Sequence, residues 1–218
     1  MKGFLDTNSL RVCNILEKNY NLILNEYNKF KFNVIIDNSS DENWHMWKNA
    51  HELSLDMAQK QYKDIDWEQV TFAPYKTSHS WYGLIVNEKS VWDGALIATS
   101  ANKEYKLKVT PIATRFFNKT YNLLKDFNEI TSIMISRIPP KRELPLHRGY
   151  KEILRTHMGL IVPDGDIGFC VSEEKKKWEN GKCLAFNDFS EHYAWNNTDE
   201  ERINIIVDLD RRKVNGSK

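Results

Sequence analysis

Ser136, His147, Arg155, His157, His192 and Arg202 are the residues in the last third of the chain whose types could do chemistry together. His147 and His192 are far apart in sequence, but antiparallel strands that pair across long loops can bring such positions side by side. Neutral imidazole is a good ligand for ferrous iron. Arg202 opens the run Ile203-Asn204-Ile205-Ile206-Val207. A guanidinium buried there needs an anionic partner, and its planar fork suits a carboxylate. Arg155 and His157 alternate with Leu154, Thr156 and Met158, so on a strand they share one face and offer two groups to an anion. Ser136 adds a hydroxyl, of little weight alone. These types suit a ferrous ion held beside a carboxylate. The same residues also admit ordinary histidines, a structural salt bridge at Arg202 and a solvent-facing side for Arg155 and His157. Many non-haem iron sites add a carboxylate two residues after the first histidine; here that residue is Gly149.

The elements that must position these groups are short. From residue 129 onward the segments Ile130–Ile138, Leu154–Val162, Ile167–Val171, Lys182–Phe186, His192–Trp195 and Arg202–Leu209 are β-branched or aromatic. Turn signals separate them, among them Pro139-Pro140, Pro163-Asp164-Gly165-Asp166, Asn180-Gly181 and Asn196-Asn197. Six short strands in succession predict an antiparallel sandwich or jelly roll, with helices packed outside it. Upstream, Asn8-Ser9 reads as an N-cap and residues 9–29 as an amphipathic helix. Residues 33–70, with Trp44, Trp47 and Trp67, are expected to hold one or two further helices. Ser80–Val86 reads as a strand and Ile112–Leu124 as a helix. Trp81 is expected in the core.

At 218 residues, one domain is expected over 1–218. Residues 1–128 form its helical and mixed N-terminal part, and 129–212 its catalytic jelly-roll core. The formal net charge of +1, from 31 basic and 30 acidic residues, argues against nucleic-acid or membrane-surface binding by bulk charge. The mixed run Glu173–Lys177 reads as a solvated turn. Cys13, Cys170 and Cys183 have no CxxC spacing and imply neither a zinc site nor a disulfide framework. The N-terminus carries charge early, and no stretch approaches the ~18 apolar residues of a membrane span. A soluble, cytoplasmic protein is expected.

The segment 130–210 resembles the aspartyl/asparaginyl β-hydroxylase family of iron(II)- and 2-oxoglutarate-dependent oxygenases. The resemblance is carried by His147-Arg148-Gly149, by Arg155-Thr156-His157-Met158-Gly159-Leu160, by Gly181-Lys182, by Asp188-Phe189-Ser190-Glu191-His192 and by Arg202. It implies a cupin-like double-stranded β-helix, the jelly roll, with an α-helical N-terminal part. It implies that His147 and His192 bind Fe(II) with no third protein ligand, so that Gly149 fits the pattern. Arg202 and Ser136 would hold the distal carboxylate of 2-oxoglutarate. Arg155 and His157 would steady its metal-proximal carboxylate. The reaction implied is hydroxylation by O2 of an unactivated carbon, Cβ by preference, of an amino acid, amino-acid derivative or peptidyl Asp/Asn-type residue, with release of succinate and CO2. Halogenation at the same site, or a jelly roll that senses a carboxylate without turnover, are the alternatives.

Overall fold

The computed structural model describes residues 3–30, 71–72, 81–86, 89–99, 108–109 and 116–215. The expected helices of 33–70 and the tryptophans there lie outside these residues, as do the side chain of Trp81 and the start of the expected 112–124 helix. The described helices are α1 (Arg11–Lys18), α2 (Tyr20–Phe30), α3 (Asn118–Leu124) and α4 (Arg211–Asn215). The strands are β1 (Thr71–Phe72), β2 (Trp81–Val86), β3 (Lys89–Thr99), β4 (Lys108–Val109), β5 (Ile130–Ile138), β6 (Arg142–His147), β7 (Ile153–Ile161), β8 (Ile167–Val171), β9 (Glu174–Lys176), β10 (Cys183–Asn187), β11 (His192–Asn196) and β12 (Arg202–Asp210).

Two antiparallel sheets make a jelly roll. The larger runs β1-β2-β3-β5-β12-β7-β10, with β4 also paired to β3; the smaller runs β6-β11-β8-β9. All six strands read from the sequence are present, with ends shifted by no more than a residue or two. Strand β6 was not anticipated, because Arg142, Glu143 and Pro145 hide its pattern. It is an edge strand, where proline and charge are tolerated. The charged run expected as a turn contains β9, the other edge of the small sheet. Ser172 and Glu173, with φ of 46° and 71°, make the tight turn before it. The expected N-terminal helix is two helices that meet at Asn19, and Leu10, not Asn8 or Ser9, precedes the first of them. Asp6 caps a 3-10 turn at Thr7–Ser9 instead.

Strand β12 is buried along its whole length because both its faces are covered. Ile203, Ile205, Val207 and Leu209 point outward onto the helices, with Ile133, Ile135, Leu154, Met158, Leu160 and Ala185 of neighbouring strands. Val12, Leu16, Ile23, Tyr27, Phe30, Phe117 and Leu124 meet them from the helical side. Each such aliphatic side chain contributes roughly 1.5–3 kcal/mol by leaving water. The opposite face of β12 looks into the jelly roll, where Phe4, Ile138, Phe169, Val171, Trp178 and Phe186 form a second, smaller cluster. The alternation Leu154/Thr156/Met158 against Arg155/His157 therefore divides β7 as the sequence predicts, with the polar pair turned inward.

One buried acid joins the helices. Glu26 of α2 accepts the backbone N–H groups of Lys119 (3.0 Å) and Thr120 (2.9 Å) and the Thr120 hydroxyl (2.6 Å) at the start of α3. Glu26→Ala leaves these donors without their acceptor, so the protein should lose about 1–3 kcal/mol of stability, read as a lower urea midpoint at unchanged m-value.

Candidate metal centre

The β6–β11 register sets His192 opposite His147. Their ring centroids are 4.0 Å apart with planes inclined at 58°. His192 is buried, and its Nδ1 lies 2.7 Å from the carbonyl of Ser190. A carbonyl can only accept, so Nδ1 carries the proton and Nε2 keeps its lone pair for a metal. Burial drives the His192 pKa down to about 4, so the ring is neutral at physiological pH, as ligation requires.

Asp188 has no assigned role in the sequence reading, and it holds this corner together. It is fully buried. Its Oδ1 lies 2.8 Å from Arg155 Nη1 and 3.9 Å from His192 Nε2. Its Oδ2 accepts the N–H of Tyr150 at 2.8 Å, and its own carbonyl accepts the N–H of Gly149 at 2.7 Å. Burial raises its pKa against the pull of Arg155. A Cβ on residue 149 would stand 1.8 Å from Asp188 Oδ2. Glycine is therefore required there by space. The carboxylate entering from the β10–β11 turn fills the volume where the commoner ligand arrangement would hang an acid from residue 149. The sequence signal for this was the Asp-x-x-x-His spacing read together with Gly149.

Arg155 grips Asp208 with two bonds, Nε to Oδ1 at 2.6 Å and Nη2 to Oδ2 at 2.9 Å, while its Nη1 reaches Asp188. Ser132 also donates to Asp208, at 2.9 Å. Arg155 thus links the strand pair β7–β12 to the loop beside His147 and His192.

Deeper between the sheets lies His157. It is buried, and among the described residues neither ring nitrogen has a hydrogen-bond partner. Its ring stacks on Phe169 (centroids 5.2 Å, planes at 24°) and lies 6.2 Å from Trp178, with Phe186 edge-on. Phe169 and Phe186 also contact His192, so the same two rings line both imidazoles. Burial, reinforced by Arg202, holds the His157 pKa well below its ordinary value. Arg202 is buried with its guanidinium 4.7 Å over the face of Trp178. With the Asn204 amide oriented to satisfy its neighbours, its oxygen accepts from Arg202 Nη1 (2.8 Å) and Trp178 Nε1 (3.1 Å). Ser136, also buried, pairs with Asn204 across β5–β12, and Ile138 pairs with Arg202. Directly paired residues share a face, so Ser136, Arg202, Asn204 and His157 all line the interior.

The structure thus brings His147 and His192 together and groups Ser136, His157 and Arg202 along one interior face. Arg155 stands at the metal end, engaged by two aspartates. Among the described residues, no cluster of three or more His, Cys, Asp or Glu has metal-binding geometry. The donor set is two imidazoles with a carboxylate behind them. Such a set, one ring locked in its ligating tautomer and a partnerless buried imidazole farther in, suits a ferrous ion with an oxygen-rich co-ligand.

Two outcomes follow from this geometry. Gly149→Ala should displace Asp188 and disturb both histidine strands, lowering the melting temperature and weakening Fe(II) binding in the same variant. His157 is neutral when folded and basic when unfolded. The unfolded chain takes up its proton first, so the stability that His157 contributes is present above pH ~6.5 and falls as the solution is acidified below it. Urea midpoints of the apo-protein should drop between pH 7 and pH 5, and His157→Phe should flatten that slope.

The family profile described as aspartyl/asparaginyl beta-hydroxylase matches residues 17–212. An ornithine lipid ester-linked acyl 2-hydroxylase from Rhizobium tropici is 34% identical over 117 residues, 52% of this chain and 39% of that protein. The Homo sapiens aspartyl/asparaginyl beta-hydroxylase is 35% identical over 97 residues, 42% of this chain and 13% of that protein. The match therefore spans less than half the length of either relative. Among solved structures, a 2OG-Fe(II) oxygenase family oxidoreductase from Burkholderia pseudomallei superimposes with TM-score 0.41 and 10% identity, over 56% of this chain and 69% of that one. The profile match runs through every residue of the metal corner and its interior face, and the chain belongs to the aspartyl/asparaginyl β-hydroxylase family.

Proposed function

We propose that this chain is an Fe(II)- and 2-oxoglutarate-dependent hydroxylase. The observation that carries the reading is His157: a buried imidazole whose two nitrogens have no partner among the described residues costs stability unless a polar ligand meets it. In this reading His147 and His192 hold Fe(II), and Asp188 braces them. His157 receives the metal-proximal end of 2-oxoglutarate, while Arg202 and Ser136 bind its distal carboxylate by charge-assisted hydrogen bonds. Arg155 steadies the metal-proximal end through its grip on Asp188. When bound, Fe(II) and 2-oxoglutarate would supply dioxygen activation, with one oxygen atom going to the substrate C–H bond as hydroxyl and the other into the succinate that is released with CO2. The chain's own work is to orient reactants and to keep the chamber dry, with Phe169, Trp178 and Phe186 as its walls.

The relatives' names, one an acyl 2-hydroxylase of an ornithine lipid and the other a hydroxylase of aspartyl and asparaginyl residues, both support hydroxylation of an amino-acid derivative or a peptide. The three cysteines, all free and buried, support a reducing, cytoplasmic setting.

Anaerobic titration with Fe(II) and then 2-oxoglutarate should develop a visible metal-to-ligand charge-transfer band. Succinate release should follow on admitting O2 with a substrate. No band in folded protein would leave a carboxylate-binding jelly roll without turnover, and a halide-dependent product would mark a halogenase. His147→Ala and His192→Ala should each weaken Fe(II) binding by at least about tenfold, given that loss of even an outer partner costs 10–100-fold. Arg202→Ala should raise the 2-oxoglutarate Kd by roughly 10- to 100-fold, the worth of one charged hydrogen bond, with the iron site intact.

A further inference from the structure

Strand β11 turns His192, Ala194 and Asn196 inward and the half-buried Tyr193 and Trp195 to the outer face of the small sheet. The two rings lie 5.8 Å apart, centroid to centroid, with planes inclined at 32°. With Glu143, Leu146, Lys175 and Asn197 they line a cavity of about 570 Å³, within the roughly 300–1,000 Å³ of small-molecule sites.

Strand pairing sets this lining in place. Trp195 stands opposite Glu143 on β6 and Gly168 on β8, so the three share a face. A Cβ on residue 168 would come within 2.2 Å of Trp195 Cζ2. Glycine there lets the indole rest against the sheet. Trp195 Nε1 donates to Asp166 Oδ1 at 2.7 Å, and Asn197 Nδ2 donates to Oδ2 of the same carboxylate at 2.8 Å. Tyr193 stands opposite Cys170, and Cys170 opposite Lys175 of β9, whose Nζ lies 5.9 Å from the Trp195 ring centroid. The indole is thus held before any ligand arrives, and little ordering is required on binding.

These contacts narrow the ligand. The indole N–H is engaged by Asp166, so Trp195 offers its ring face and no donor; a proline-rich peptide, with carbonyls to satisfy, is served poorly. Lys175 disfavours a cation beside the ring, and Glu143 disfavours an anion. A pyranose is neutral, with C–H groups on its face and hydroxyls around its edge. The face packs on the rings, and the hydroxyls meet the Glu143 carboxylate, the Lys175 ammonium and the Asn197 amide oxygen.

We propose that Tyr193 and Trp195 form a platform for a neutral saccharide of the equatorial, gluco type, one ring for each of two adjoining sugars. The site lies across β11 from His192 and stands independently of the hydroxylase reading.

The test titrates the full chain calorimetrically with cellotetraose and with sorbitol, which carries hydroxyls without a rigid ring face. Cellotetraose should bind with a Kd of about 1 mM or tighter, and at least about tenfold more tightly than sorbitol. Trp195→Ala and Tyr193→Ala should each raise that Kd by about fivefold or more. Tyr193→Phe should hold it within about twofold, because the ring face and not the hydroxyl makes the contact. Circular dichroism checks that each variant is folded; if Trp195→Ala is not, Tyr193→Ala alone decides. Absence of saturable cellotetraose binding by about 10 mM, equal affinity for sorbitol, or an unchanged Kd in folded Tyr193→Ala overturns the platform. Decaproline binding more tightly than cellotetraose overturns it too, and makes the groove a peptide site.

Discussion

Asp188 sits in the interior with its carboxylate held by the N–H of Tyr150 and the guanidinium of Arg155, beside the edge of His192. A buried carboxylate is tolerated only when its charge is answered, and here the Tyr150 N–H and the Arg155 guanidinium answer it from two different segments. The loop after β6, the strand β7 and the start of β11 are thereby fixed relative to one another. His147 and His192 are set side by side by the β6–β11 register, and the absence of a side chain at Gly149 makes room for Asp188 beside them. Replacing one partner would strand the others, because the desolvation of Asp188 is already complete.

The same logic extends along the interior face of the large sheet. Asp208, Arg155, His157, Asn204, Arg202 and Ser136 line it. These polar groups neighbour Phe169, Trp178 and Phe186, which keep the local dielectric low. Hydrogen bonds and charge contacts in such a chamber are stronger than in water, and unmet groups are correspondingly expensive. The opposite face of β12 carries only aliphatic residues against the helices. One strand thus supplies the stability of the molecule from one side and its chemistry from the other.

Much of this was legible in the chain. The strict alternation around Arg155 and His157 told which side chains share a face, and Arg202 at the head of an apolar run foretold a buried cation. The turn residues located the strands. Other parts were not legible, for physical reasons. Strand β6 owes its existence to pairing with β11, and its own composition argues against a strand. The break at Asn19 interrupts a helical period that continues on both sides. Asp188 could be seen as one letter of a spacing, but its role depends on the vacant space at Gly149, reached only when two loops fold against each other. Local patterns report on periodicity and burial; they are silent on which distant residue fills a gap.

Strand β12 lies between β5 and β7 in the large sheet, yet it is the last of the twelve described strands in chain order. Until it inserts, β5 and β7 each present an unpaired edge, and the helices have no continuous apolar surface to cover. Sheet closure must therefore wait for a segment of high sequence separation from β5, which makes it a late and slow step in folding. The strand that completes the sheet also brings Arg202, Asn204 and Asp208. A partly folded chain has open β edges prone to association and lacks the Arg202 guanidinium, so closure of the sheet and assembly of its polar interior face are one event.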